Sequence, residues 1–147
     1  MTPKEECEAM MDELIGSAEE LLVQDGEFHP FAAILGAEGQ IQRVTATPLG
    51  AGGLIAQLAG SLKARAAELR AACIVSLVSV ERPGTQVAID AIRMAVDHRQ
   101  DYTVHVFFPY ELRSDVANPD APREVIFGEP FAARGVSFAF GGEAYPG

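Results

Sequence analysis

The chemistry open to this 147-residue chain rests on three histidines, two cysteines and one glycine-rich loop. The histidines are His29, His98 and His105. A histidine beside a carboxylate and a guanidinium can move protons near neutral pH. Arg93, Asp97 and His105 form such a group if they share one face of a β-hairpin, and they are the candidate catalytic residues. No nucleophile stands beside them. Cys73 falls two strands from His105, roughly 9–10 Å, whereas a Cys–His dyad needs about 3 Å. Ordinary cross-strand polar contact explains the cluster better. No CxxC, HxxxH or HExxH occurs, so no metal is expected. Gly50, Gly52 and Gly53 precede a helix, where phosphate is often held, but the loop has no P-loop Lys-Ser/Thr and does not fit GxGxxG. It reads as a connection, and no cofactor is expected.

The hairpin that would assemble the cluster can be registered by arithmetic. A three-residue loop at Arg99–Asp101 pairs His98 with Tyr102, Val96 with Val104, Met94 with Val106 and Ile92 with Phe108. A two-residue loop would set Val96 against His105. A slip of one residue turns every side chain to the other face, so the apolar pairing selects the first register. Asp97 then opposes Thr103, with His105 diagonal to it and near Arg93.

The surrounding elements follow from pattern. Thr2-Pro3-Lys4-Glu5 has a capping-box spacing with Pro at the first helical position. Cys7, Met10, Met11, Leu14, Ile15, Ala18, Leu21 and Leu22 make one helical stripe, and Asp25-Gly26 stops it. Phe28–Leu35 and Gln40–Ala46 flank the turn residues Gly36–Gly39, and Pro30 predicts an irregular start to the first strand. A second helix is expected near Leu54–Arg70. Strands are expected at Ala72–Glu81 and Gln86–His98, with a bulge near Asp90-Ala91 bringing Val87 and Ile89 onto the face of Ile92, Met94 and Val96. Glu111–Pro122 reads as a loop, Glu124–Phe127 and Val136–Phe140 as short strands, and 141–147 as a loose tail after a single domain over 1–140. The expected fold is α+β, in the order α-β-β-α-β-β-β(-β-β), with two helices on one face of an antiparallel sheet.

That arrangement leaves the second sheet face with an apolar patch. Cys73, Val75 and Leu77 would lie beside Ala95 and Phe107, where an exposed sheet normally turns polar. These five are interface candidates. Either Phe131, Phe138 and Phe140 fold back over the patch, or a second copy covers it as a homodimer.

Composition narrows the function classes. The net charge is −10, and residues 1–27 hold nine acids against Lys4 alone. With no basic stripe, neither nucleic acid nor an anionic membrane is an expected partner. No apolar run approaches the ~20 residues of a membrane span, and the N-terminus lacks the pattern of a signal peptide. A cytoplasmic protein is expected, with free cysteines.

The phrases EFHPFAAILGAEGQIQRV, AIDAIRMAVDHRQDYTVHVFFPYEL and EVIFGEPFA resemble a set of small uncharacterised bacterial proteins. The element order also resembles the roadblock arrangement, without its closing C-terminal helix. The resemblance implies a bacterial cytoplasmic protein and supplies no catalytic motif. Two functions follow: a non-catalytic interaction protein, of the immunity or chaperone kind, with a protein partner; or a small enzyme or ligand-binding protein using His105, Asp97 and Arg93.

Overall fold

The computed structural model describes residues 2–45, 53–100, 102–118, 120–135 and 137–140. Its elements are α1 (Pro3–Asp25), β1 (Phe31–Gly36), β2 (Ile41–Thr45), α2 (Leu54–Ala64), a 3-10 turn (Ala66–Glu68), β3 (Leu69–Glu81), β4 (Ala88–His98), β5 (Tyr102–Arg113), β6 (Glu124–Phe127) and β7 (Phe131–Arg134). Every strand pair is antiparallel, so the class is α+β as expected.

The start and stop of α1 are those its sequence encodes. Thr2 Oγ1 accepts the Glu5 N–H at 3.1 Å, and the Glu5 carboxylate accepts the Thr2 N–H at 3.3 Å. These reciprocal bonds satisfy donors that a helix otherwise leaves open. At the other end Gly26 adopts φ 77°, a left-handed conformation that a side chain would strain, and its N–H closes on Leu22 O.

The sheet runs β2-β1-β3-β4-β5-β6, with β7 also on β5. The β4–β5 register is the one read from the sequence: His98↔Tyr102, Val96↔Val104, Met94↔Val106 and Ile92↔Phe108. β6 and β7 are two halves of one edge strand along β5. Tyr110 pairs with Phe127 and Phe107 with Phe131, so the edge carries one extra residue between its halves.

The helices lie on opposite faces, which corrects the expected placement of both on one. α1 buries Cys7, Met10, Leu14, Ala18 and Leu22 against Phe31, Ala33, Cys73, Val75, Ile92, Met94 and Val96. α2 buries Leu58, Ala59 and Leu62 on the other side, against Ala32, Ile34, Ala72, Ile74 and Ala95. The reason lies in β1 and β3. Phe31–Gly36 and Ala71–Ser76 are buried without a break, as strands covered on both faces must be.

Other boundaries shift as well. The second helix ends at Ala64, and the chain is already extended at Leu69. No bulge interrupts β4: the ladder with β3 runs unshifted from Ala71↔His98 to Glu81↔Ala88. Ile89 therefore faces away from Ile92. The expected strand at Val136–Phe140 is replaced by β7, followed by bends over 138–140. The loop containing Gly50 and Gly52 and the tail at 141–147 lie outside the described residues.

Candidate functional site

Asp97, one of the three residues proposed for proton transfer, is 1% exposed and has another occupation. Its Oδ1 accepts the Thr103 hydroxyl at 2.8 Å. Its Oδ2 accepts the Ser137 hydroxyl at 2.7 Å and the backbone N–H groups of Phe138, Ala139 and Phe140 at 3.0, 2.9 and 3.2 Å. Backbone amides converging on one oxygen form a fixed anion cradle. The carboxylate thereby pins the segment that drops Phe138 and Ala139 into the core beneath α2. Gly135 permits the approach, because a Cβ there would come within 2.7 Å of Val104 N. Asp97 is an anchor whose lone pairs are spent on the chain itself.

His105 and Arg93 do share the α2 face with it. Ala95 pairs with His105, and Arg93 with Phe107, so His105 sits diagonally between Arg93 and Asp97. Partial burial, then the Arg93 charge, pushes the His105 imidazole below its ordinary value. That favours a neutral ring. Arg93 Nε and the Ser76 hydroxyl, on residues paired across β3 and β4, are buried without a hydrogen-bond partner among the described residues. The face therefore brings two of the three residues together and diverts the third.

The five interface candidates are divided between the two faces. Cys73 and Val75 lie beneath α1 with no exposure, and Leu77 packs against the same cluster. Ala95 is buried on the α2 face beside Phe138. Phe107 is half-buried and stacks on Phe131, with centroids 5.1 Å apart and planes 17° apart. The contiguous patch depended on the bulge that β4 lacks. Phe138 of the same chain packs in the cluster that holds Ala95.

A second buried polar group lies under α1, and sequence reasoning missed it. Glu6 Oε1 meets His98 Nε2 at 3.1 Å, and Arg70 donates to Glu6 Oε2 at 3.0 Å. His98 Nδ1 accepts the Gln100 N–H at 3.0 Å, so Nε2 carries the ring proton and donates to Glu6. This ties the first turn of α1 to the end of β4. Burial, reinforced by Glu6 and Asp97, pushes the Cys7 thiol up to about 12, and burial raises Cys73 too. Both cysteines are free, buried thiols with no drive to ionise.

Two of the concave regions among the described residues bear on function. A cleft of about 490 Å³ beside the C-terminal end of α1 is lined by Asp25, Glu27, Phe28, His29, Phe31 and Arg43. Arg43 lies 4.2 Å over the Phe31 ring. The other is a groove of about 370 Å³ between α1 and the far strands. Tyr102, Val104, Val106 and Phe108 form its floor with Met11, while Lys4, Glu8, Asp12 and Ala132 are its rim. These β5 side chains pack against the α1 cluster yet stay half-buried, because α1 crosses β4, β5 and β6 without filling the space beside Met11. The alternate apolar spacing of β5 was legible; that α1 would leave part of it open was not.

Among the described residues no group of three or more His, Cys, Asp or Glu could hold a metal ion, and no helix is long and apolar enough to cross a membrane. No protein-family model matches the chain, and neither the curated proteins nor the solved structures contain a match.

Proposed function

We propose that this chain is a non-catalytic protein-interaction module of the bacterial cytoplasm, of the immunity or chaperone kind. The observation that carries this reading is the groove beside α1, where four alternating β5 side chains stay half-buried along an acidic helix. An apolar floor bordered by charged side chains has the make-up of an interface centre and its rim. The groups capable of chemistry support the same reading by their commitments. Asp97 holds residues 137–140, Glu6 holds His98 and Arg70, and both thiols are buried. The test is affinity capture from the source cell with mass spectrometry, followed by hydrogen exchange on the complex. A protein retained in stoichiometric amount that protects β5 amides is expected. Absence of any such protein would overturn the reading.

A second reading, a small enzyme or ligand-binding protein, draws on the cleft that gathers Asp25, Glu27, His29 and Arg43. It predicts that a small molecule raises the melting temperature, and that His29→Ala abolishes the rise.

A further inference from the structure

We infer that the occupant of the groove is a basic amphipathic helix of another protein, lying beside α1 on the same sheet face; this rests on the interaction reading above. The backbone decides first between a strand and a helix. β5 is paired with β4 on one side and with β6 and β7 on the other. Its N–H and C=O groups are therefore used, and the groove offers side chains, not an edge for strand addition. What fits over an apolar sheet face is a helix presenting an apolar stripe.

The dimensions agree. From Tyr102 to Phe108 the floor runs roughly 20 Å at ~3.3 Å per residue, the length of about 13 helical residues. A helix about 10 Å across covers two strands spaced ~4.8 Å apart, which are β5 and β7. Ala132, small and exposed on the far wall, leaves room for close approach.

Charge then selects the partner. α1 carries eight acids against Lys4, and Glu8 and Asp12 stand on the groove rim. Arg134, opposite Val104 on β7, is the base of the far edge. A neighbouring helix would lie about 8–10 Å from α1 axis to axis, so that facing charged side chains come within the ~8 Å Debye length of physiological salt. Basic residues facing α1 would be favoured, acidic ones repelled. A second copy of this chain fits poorly. Its α1 is the acidic helix itself, and both α1 and α2 already bury their apolar stripes on their own sheet.

The experiment uses the full chain and three labelled synthetic peptides of about 14 residues, the length set by the groove. One is an amphipathic Leu/Lys helix, one its Leu/Glu counterpart, and one a shuffled Leu/Lys sequence without an apolar stripe. Fluorescence anisotropy should show saturable one-to-one binding of the first, at least tenfold weaker binding of the other two, and a dissociation constant that rises with salt. Glu8→Lys combined with Asp12→Lys, and separately Ala132→Arg, should each weaken the first peptide tenfold or more. All three sites are exposed, so unchanged melting curves are the check on folding. Equal binding of the acidic or shuffled peptide, or variants that bind like the parent, would overturn the inference. So would a dimer in light scattering that Ala132→Arg dissociates, since a second copy would then fill the groove. If a captured cellular partner binds all the variants as well as the parent, the basic-helix inference falls while the interaction reading stands. If nothing is captured and no peptide binds, both fall.

Discussion

The two faces of the sheet are closed by different means. On one, a 23-residue helix with a reciprocal cap buries an apolar stripe in one cluster with side chains of β1, β3 and β4. On the other, an 11-residue helix without a side-chain cap covers only part of the surface. The remainder falls to residues 137–140, held by a single carboxylate. Apolar packing spreads its stabilisation over many contacts and yields gradually to substitution. A polar pin concentrates it: one side chain removed strands every donor that pointed at it. The faces should therefore differ sharply in how they fail.

The largest expected effect is at the pin. Asp97→Ala leaves two hydroxyls and three backbone N–H groups without their acceptor. Release of 137–140 to water limits the penalty, so a loss of about 3 kcal/mol is expected in denaturant unfolding. Hydrogen exchange should locate the damage on the α2 face, with the amides of α1 losing protection only through the global drop in stability. A loss below about 1 kcal/mol, or one spread equally over both faces, would break the comparison.

What the sequence disclosed follows the same division. Local signals were readable: the Thr2–Glu5 cap, the Asp25-Gly26 stop, and the β4–β5 register fixed by matching Val96 with Val104 and Met94 with Val106. The side of the sheet each helix would cover was not readable from the helices, because an amphipathic stripe says that a face is buried, not against what. The usable clue lay in the strands, since the unbroken apolar runs at Phe31–Leu35 and Ala71–Val75 mark strands covered twice. Asp97 illustrates the other limit. A lone carboxylate after Ala95 and Val96 signals a buried, satisfied acid, but apart from Thr103 its donors lie 40 to 43 residues on, in a segment whose path no local pattern gives.

The α1 face provides the intermediate effect. Cys7 and Cys73 both lie in its cluster with no exposure. Replacing both by alanine should cost about 1–3 kcal/mol in total through packing alone, without the local collapse expected for Asp97→Ala. With Cys7 raised to about 12, a thiol reagent at neutral pH should modify the native chain no faster than it opens. Rapid modification of the folded protein would show that α1 is not the tight cover described.

The smallest effect is a pH dependence that belongs to the α2 face. Burial and the Arg93 charge lower His105 below the ordinary histidine value of 6.5. As pH falls, the unfolded chain therefore takes up this proton before the folded chain does. Stability from the neutral ring is fully present above about pH 6.5, is lost progressively as pH falls toward the depressed folded value, and stops falling below it. Because the ring is partly open to solvent, screening should keep the change under about 1 kcal/mol. His105→Gln keeps a polar side chain that cannot charge, so it should flatten the slope of unfolding free energy just below about pH 6.5. Arg93→Gln should move the His105 titration upward in NMR, while leaving the part due to burial in place. If His105→Gln leaves the acid slope unchanged, the loss of stability comes from other groups, and His105 does not distinguish the two faces.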